Sequence, residues 1–207
     1  MSQPHPPPTT GRRDQAWWDA RYREGERGWD KPVHAPQIEA AVARFGRTSG
    51  RVLDLGCGRG RNSRFLASVG FSVLGVDISG EAIADARAQA GALDCAFFRL
   101  DVLSDPIPDG PFEAVFDYGC FHVFDTDEDR ATLARVVAGV LAPGGLWLAT
   151  IGSTDGPPRT QGPPRRSARD VVLAIEPRFE ILELVRGELD AGEAPPRTTW
   201  QGVFRKR

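Results

Sequence analysis

The 207-residue sequence predicts a single α/β domain whose open sheet carries helices on both faces. Two observations support this fold class. From Arg51 onward, short apolar runs of strand length alternate with segments in which apolar residues recur at helical spacing. The chain then ends in two apolar runs around a turn rich in glycine and proline, which predicts a closing β-hairpin. The length suffices to bury a sizeable core.

The segment before the alternation is predicted to be mostly helical. Residues 1 to 13 are rich in proline and predict a disordered tail. Asp14 can cap a short helix, and Pro36 suits the first position of a second helix. A loop from Gly25 to Pro36 separates the two helices, and the single domain is expected to run from residue 14 to residue 207.

Each later element follows from its own local pattern. Ser79 and Thr126 are predicted to cap helices, the second within a capping box, and Pro143-Gly-Gly is predicted to end the helix that Thr126 opens. Gly152 to Arg166 shows no periodicity and predicts a loop. Helices are predicted over 61–69, 80–90, 126–141 and 168–175. Strands are predicted over 52–55, 72–76, 96–100, 114–118, 146–151, 179–185 and 198–205.

A glycine turn after the first predicted strand is the main functional signal. Gly56, Gly58 and Gly60 follow the run from Val52 to Leu55, and a helix begins directly after them. Glycine lets the backbone approach a ligand closely, and the N-terminus of a helix favours a negative group. Asp77 ends the second strand, where a carboxylate can accept hydrogen bonds from two ribose hydroxyls. The unit predicts a site for a nucleoside-containing cofactor.

The spacing of the glycines separates two classes of cofactor. The dinucleotide fingerprint places its third glycine where this chain has Arg61, which argues against a nicotinamide dehydrogenase. The order Asp-Leu-Gly-Cys-Gly-Arg-Gly over 54–60, with Asp77 and Leu-Ala-Pro-Gly-Gly over 141–145, instead resembles class I S-adenosylmethionine (SAM) dependent methyltransferases. The resemblance implies a Rossmann-like, doubly wound sheet of seven strands in the order 3-2-1-4-5-7-6. Its last strand would be antiparallel, and its helices would cover both faces.

The same resemblance implies which residues hold SAM and its product S-adenosylhomocysteine. The ribose would lie on Asp77, the adenine amino group on Asp101, and the amino group of the methionine part near Asp54. The acids at the strand ends also suit the cationic sulfonium and ammonium groups. The cofactor-binding residues that it implies are Trp29, Asp54, Gly56, Cys57, Gly58, Asn62, Asp77, Ile78, Asp101, Val102, Asp117 and Tyr118.

A narrower resemblance concerns the acceptor side of the site. Arg59-Gly-Arg-Asn-Ser63 is similar to the tellurite-resistance and thiol or chalcogen methyltransferases. Asp117-x-Gly-x-Phe-His, Trp18-x-x-x-Tyr22 and Gly-Trp-Asp over 28–30 are similar to the thiopurine methyltransferase type. That type implies a helical lid over 14–48, with Trp29 covering the cofactor. This chain departs from the type at Tyr118, where arginine is usual, so an acceptor recognised through that arginine is not expected.

The histidines are the candidate catalytic residues. His122 follows the fourth strand, where the methyl group is expected to point, and His34 lies in the predicted lid. A thiol ionises without a strong base, whereas a hydroxyl acceptor needs one, so each histidine is interpreted as a general base, an acceptor-orienting residue or a packing residue. The candidate acceptor-binding residues are Trp29, His34, Phe121, His122 and Arg159.

The composition of the chain argues against some classes of binding partner. The formal net charge of -2 gives no general attraction to nucleic acid, and no apolar run has the length of a membrane span. Cys57, Cys95 and Cys120 lack metal-ligand spacing and predict a reduced, cytoplasmic protein without a metal. A small-molecule acceptor is expected, with sulfur or another soft atom preferred. An O- or N-methyltransferase of a natural-product pathway and a non-catalytic SAM-binding protein remain open, as do a monomer and a homodimer.

Overall fold

The computed structural model describes residues 12–25, 29, 33–158, 164–189 and 197–207. One sheet organises this part of the chain, with its strands in the order β3-β2-β1-β4-β5-β7-β6. The strands are β1 (Gly50–Leu55), β2 (Phe71–Asp77), β3 (Cys95–Arg99), β4 (Phe112–Tyr118), β5 (Leu141–Gly152), β6 (Phe179–Leu189) and β7 (Arg197–Lys206). The helices are α1 (Gln15–Arg23), α2 (Pro36–Phe45), α3 (Arg61–Ser68), α4 (Gly80–Ala88), α5 (Asp127–Val140) and α6 (Ala168–Ile175), with a 3₁₀ turn at Phe121–Val123.

The strand directions confirm the predicted topology. β1 pairs in parallel with β2 and β4, β3 extends the sheet beyond β2, and β5 extends it beyond β4, all in parallel. β7 runs antiparallel between β5 and β6. Strands that are covered on both faces require continuous apolar runs, and the residues from Val52 to Leu55 are all buried. The carboxyl ends of the parallel strands therefore meet along one edge of the sheet.

Two apolar layers cover the two faces of the sheet. On one face, Trp147 packs edge-on to Phe121, Phe179 and Phe204, beneath α5 and α6. On the other face, α2 and α3 pack on a layer that includes Phe116. We call the second layer the α2 face. Neighbouring residues of a strand point to opposite faces, so side chains of adjacent residues belong to different layers.

Local capping explains where several helices begin. Asp14, Ser79 and Thr126 each accept a hydrogen bond from a backbone N–H in the first turn of the helix that follows. The reciprocal capping box lies at α6, where the Ser167 hydroxyl and the Asp170 carboxylate each accept from the other residue's N–H. At Thr126 the structure shows the hydroxyl half of the box that the sequence predicted.

The boundary between α5 and β5 differs from the prediction. The helix ends at Val140 and β5 begins at Leu141, so Pro143-Gly-Gly lies inside the strand rather than at a helix end. Leu141 pairs with Phe112 of β4, and the register shifts before the next pair, so the strand resumes its pairing past the irregular glycines. Both of these side chains are buried, and burial of this pair outweighs the turn preference of the Pro-Gly-Gly sequence.

Other element ends move by one to a few residues. α4 ends at Ala88 rather than residue 90, β3 runs from Cys95 to Arg99, and β6 continues to Leu189. Arg12 and Arg13, within the predicted tail, contact the sheet edge, whereas residues 1–11 lie outside the described part. In the described residues, no helix combines the length and the hydropathy needed to cross a membrane, and no cluster of side chains could hold a metal ion.

Candidate cofactor and acceptor site

The turn between β1 and α3 is shaped by glycines that no other residue could replace without strain. Gly56 and Gly58 have φ angles of 69° and 53°, in the left-handed region that favours glycine. A Cβ atom added to Gly56 would lie 2.8 Å from the Cβ of Cys120, and one added to Gly58 would lie 2.8 Å from the hydroxyl oxygen of Tyr22. The turn is therefore a close-fitting cradle at the carboxyl end of β1.

Asp77 lies at the end of β2, opposite this turn. One carboxylate oxygen accepts a hydrogen bond from the Gly58 N–H and the other accepts from the Ser79 N–H, each at 2.9 Å. These bonds fix the orientation of the carboxylate. A carboxylate oxygen has two lone pairs, so each oxygen can accept a further bond. Two fixed oxygens with remaining acceptor capacity fit the adjacent hydroxyls of a ribose.

Two other strand-end carboxyls, Asp54 of β1 and Asp117 of β4, are only 1% exposed. Burial raises the pKa of Asp54 to about 6, although the Ser63 hydroxyl donates to it at 2.5 Å. Burial also raises the pKa of Asp117 to about 7, against the N–H groups of Cys120 and Phe121, which donate to it. Burial likewise raises the pKa of Asp77. A cationic ligand beside these groups would favour their ionised forms.

The end of β3 carries the fourth predicted acid, Asp101. Its carboxylate accepts from the Leu103 N–H at 3.0 Å and forms an ion pair with Arg12. Val102 follows it in a buried turn, and Ile78 is half-buried after β2. The N-terminal segment thus reaches the carboxylate that the resemblance assigns to the adenine.

Helix α1 lies along the ends of the central strands. The Ser79 hydroxyl donates to the Asp19 carboxylate at 2.7 Å, and the Arg59 guanidinium donates to the Tyr22 carbonyl at 2.8 Å. The Trp29 side chain packs edge-on against Trp18 of α1, with ring centroids 6.3 Å apart, and is 39% exposed. Helix α1 therefore covers the cradle, and Trp29 extends that cover.

His122 is fixed by a bond to a distant strand. The Gly152 N–H of β5 donates to the ring Nδ1 at 2.8 Å, and the ring is buried. Because an amide can only donate, Nδ1 carries no proton, and the neutral ring has its proton on Nε2. His122 can thus donate a hydrogen bond through Nε2 but cannot accept a proton there. This geometry favours the orienting role among the roles that the sequence left open.

His34 belongs to a different part of the site. Its ring stacks on Phe65 of α3, with centroids 4.0 Å apart, and Nε2–H donates to the Glu39 carboxylate at 2.6 Å. Asn62 is close by, and its side-chain oxygen accepts from the Ala35 N–H at 3.0 Å. This bond anchors the residue before α2, so the amide oxygen of Asn62 is already used by the protein itself.

Of the predicted acceptor-binding residues, one packs in the core and another lies outside the described residues. Phe121 is fully buried and its ring centroid lies 5.9 Å from that of Trp147, so its side chain packs in the core instead of lining a pocket. Arg159, together with Asp30 of the predicted lid loop, lies outside the described residues. Cys57 is buried beside the cradle and also packs against α4, which leaves its backbone as the part able to face a ligand.

Sequence reasoning missed part of this arrangement. Tyr22 was noted only within a motif, yet its hydroxyl closes the outer side of the turn at Gly58. Asp19 gave no signal at all, because an acid on a helix is usually solvated, yet it joins α1 to α4. Thr150 and Gln201 were also missed; the feature that could have found them is a polar residue at a buried position of an otherwise apolar strand.

The fold and these strand-end acids are typical of class I SAM-dependent methyltransferases. Residues 52–145 match the model of a family described as a methyltransferase domain. The ubiquinone biosynthesis O-methyltransferase of Xanthomonas axonopodis pv. citri (strain 306) is 32% identical over 145 residues, or 67% of this chain. The match spans 57% of the length of that relative.

Solved structures agree with this class. One was solved in work on the conversion of a disulfide bond into a thioacetal group during echinomycin biosynthesis. It is 25% identical, covers 93% of this chain and 91% of its own, and has a TM-score of 0.76. TehB from Haemophilus influenzae is 19% identical with a TM-score of 0.68, covering 93% of this chain and 67% of its own, and shows the shared fold.

Proposed function

We propose that this protein transfers a methyl group from SAM to a small-molecule acceptor, with a thiol or another soft nucleophile preferred. Bound SAM would supply an electrophilic methyl group for in-line displacement. In this proposal Asp77 holds the ribose and Asp101 binds the adenine amino group. The carboxyls of Asp54 and Asp117 face the cationic sulfonium and ammonium groups of SAM. The protein then mainly positions the nucleophile and excludes water.

The observation that carries the soft-acceptor preference is the bond from the Gly152 N–H to His122 Nδ1. It leaves His122 as a hydrogen-bond donor after β4, where a base would be needed for a hydroxyl acceptor. A thiol ionises at about pH 8.5 and needs only a donor that stabilises its thiolate. The similar structure from echinomycin biosynthesis also supports this preference, because it was solved in work on the conversion of a disulfide bond into a thioacetal group.

A second candidate function is methyl transfer to a hydroxyl oxygen. The similarity to the ubiquinone biosynthesis O-methyltransferase favours it. So does the pair of His34 and Glu39: a carboxylate that accepts from Nε2–H leaves Nδ1 of the neutral ring unprotonated, which is the arrangement of a general base. The two candidates therefore predict different roles for His34.

The first test measures S-adenosylhomocysteine release with SAM and matched thiols, selenols, phenols, catechols and amines. Soft-acceptor transfer predicts release with thiols or selenols, and a rate that follows ionisation of the thiol. His34→Gln should leave that rate within about twofold, because loss of a general base costs about 100-fold or more.

The opposite results identify the alternative. Release with phenols or catechols only, together with a large loss in His34→Gln, would establish oxygen transfer and contradict the soft-acceptor proposal. Glu39→Gln is the matched control, because it removes the carboxylate but keeps the imidazole; a partial loss there supports His34 as the base. SAM binding without release across the panel would contradict catalysis on these acceptors.

A further inference from the structure

Polar side chains interrupt the α2 face at one level of three adjacent strands. Closer to the centre of the sheet this face is apolar, with Phe116, Leu148 and Val203 in its core. One step toward the carboxyl ends of β4 and β5, the side chains become polar. They are Tyr118 of β4, Thr150 of β5 and Gln201 of β7, and we call them the polar row. Tyr118 pairs with Thr150 and Thr150 pairs with Gln201, so the three lie side by side.

Hydrogen bonds hold the row in one arrangement. The Thr150 hydroxyl donates to Gln201 Oε1 at 3.1 Å, and Gln201 Nε2 donates to the hydroxyl of Thr199 at 3.0 Å. Thr150 and Thr199 are both buried. The Gln201 amide has a second N–H beyond its bond to Thr199. Because the amide oxygen accepts from Thr150 and the first N–H donates to Thr199, this second N–H is the group that Gln201 can offer to a ligand.

Tyr118 adds a second hydrogen-bond donor. Burial raises the pKa of Tyr118 to about 12, although the positive charge of Arg197 works in the opposite direction. The phenol therefore keeps its proton at neutral pH and can donate to an acceptor atom. Its side chain lies with the α2 face, whereas the carboxylate of the neighbouring Asp117 points to the other layer. Asp54 accepts from Ser63 of α3, so this acid of the cofactor site lies on the same face as the phenol.

A cleft borders two members of the row. It lies between α2 and the sheet, and Ile38, Ala41 and Arg44 line the helix side. Thr150 and Gln201 line the sheet side, and Asp117 lines the same cleft. One cleft thus includes an apolar wall and two members of the row, and it reaches residue 117 at the carboxyl end of β4, although the Asp117 carboxylate itself points to the other layer.

We propose that the polar row binds the methyl acceptor and recognises a carbonyl or carboxylate oxygen on it, while Ile38 and Ala41 pack on its apolar body. The inference deepens the proposed function and rests on it. Tyr118 and Gln201 offer an O–H and an N–H, which match an oxygen acceptor. Arg197 brings positive charge close to Tyr118. Arg44, which is paired with Glu183, lines the helix side of the cleft. Tyr118 is thereby assigned to acceptor binding, in place of the cofactor binding that the resemblance implied.

The test pairs probes that differ in a single group. For turnover, 2-, 3- and 4-mercaptobenzoate are compared with the corresponding mercaptobenzamides and with thiophenol. For binding without transfer, benzoate, benzamide and toluene are titrated into the S-adenosylhomocysteine-bound protein. Removal of the hydrogen bonds in Gln201→Leu and Tyr118→Phe should each lower the apparent affinity for oxygen-bearing probes about 5- to 10-fold, with little effect on thiophenol or toluene.

The control is Thr198→Val, a similarly buried threonine of β7 whose neighbouring position places it on the opposite face. It should preserve the preference for oxygen-bearing probes. Equal affinity for oxygen-bearing and apolar probes, or a preference that persists in both Gln201→Leu and Tyr118→Phe, would overturn the inference. A preference for benzoate over benzamide assigns a carboxylate, and the reverse assigns a carbonyl.

The two proposals can fail separately. Selective binding of benzoate or benzamide that depends on the row, without release from any acceptor, contradicts methyl transfer but retains the row as a binding site. Release that is insensitive to both row variants contradicts the row and retains methyl transfer. If neither probe set binds and nothing is released, both proposals are rejected.

Discussion

At the scale of single residues, Asp77 connects the glycine turn with the end of β2. Its two oxygens accept from amides on two different elements, the turn at Gly58 and the N-cap Ser79 of α4. The carboxylate therefore holds its position before any ligand binds. A fixed, charged acceptor binds hydroxyls more strongly than a mobile or neutral one, because less order has to be gained on binding.

Replacement of this carboxylate should weaken cofactor binding selectively. Asp77→Asn removes the charge and half of the acceptor capacity, and we expect SAM affinity to fall by about 1.5–3 kcal/mol, or about 10- to 100-fold in Kd. Isothermal titration calorimetry measures it. Asp94→Asn, an exposed acid before β3, is the matched control and should bind as the wild type does. Equal affinities in the two variants would remove the ribose assignment.

Single residues also show which chemical roles can be predicted from the sequence and which cannot. A ribose-binding role could be predicted for Asp77 because an acid after a strand and a glycine turn lie in one local pattern. The bond of His122 could not, because its donor Gly152 is thirty residues away and reaches it only through the pairing of β4 with β5. The chemical role of a histidine depends on such a partner, and the partner depends on the fold.

At the scale of elements, α1 covers the cofactor edge through contacts with α4. The Asp19 carboxylate accepts from the Ser79 hydroxyl, from the Glu81 N–H and from Gln15 within α1. These bonds lower the pKa of Asp19 below its usual value even though burial opposes the shift. The helix is thus held to the rest of the domain by a few polar contacts, which suits an element that opens and closes.

Loss of the hydrogen bonds of Asp19 should let α1 move away from the cofactor site. We expect Asp19→Ala to speed S-adenosylhomocysteine dissociation several-fold while the global fold is retained, since the two hydrogen bonds that join α1 to Ser79 and Glu81, worth roughly 1 kcal/mol each, are lost. Stopped-flow measurement of release gives the rate. Glu128→Ala, an exposed acid in the first turn of α5, is the control. A wild-type rate in Asp19→Ala would contradict the lid role of α1.

The capping box of α6 gives a prediction about stability alone. Ser167→Ala removes the hydroxyl that accepts from the Asp170 N–H and should lower the free energy of unfolding by about 1 kcal/mol. Urea denaturation measures the change. Ser68→Ala, at an exposed helix position where the hydroxyl donates to the Phe65 carbonyl, provides the comparison and should change stability less. A smaller loss in Ser167→Ala than in Ser68→Ala would show that the box contributes little.

At the scale of the whole molecule, the carboxyl ends of the strands gather acids that burial keeps partly protonated. The folded pKa values of Asp54 and Asp117, about 6 and about 7, lie above the ordinary 3.8. Between pH 3.8 and about 7 the folded protein binds more protons than the unfolded chain, so the free energy of unfolding falls as pH rises through this window. The acids whose pKa is lowered, such as Asp170, lose their stabilising effect only as pH falls below about 4.

The unliganded protein should therefore be most stable near pH 4 and lose stability up to about pH 7.5. SAM should stabilise it more at pH 7.5 than at pH 5, because its cationic groups favour ionised acids. Thermal unfolding at several pH values, with and without SAM, measures both effects. In Asp54→Asn the loss of stability with rising pH should be shallower. A stability that rises with pH in the unliganded protein would contradict this account of the buried acids.

The sequence by itself determined the architecture and the cofactor class. Apolar runs, glycines that require left-handed backbone, and acids at strand ends are local features, and they act through interactions between near neighbours. The order of the strands and the glycine turn after β1 were therefore predictable from the resemblance that these local motifs carry.

The tertiary structure alone decided the register and the partners. The polar row exists because Tyr118, Thr150 and Gln201 meet at one level of three strands, although the last two are 51 residues apart in the chain. The extension of β5 back to Leu141 and the burial of Phe121 were decided in the same way. The physical reason is that pairing and burial depend on which distant segments become neighbours, and no local pattern encodes that choice.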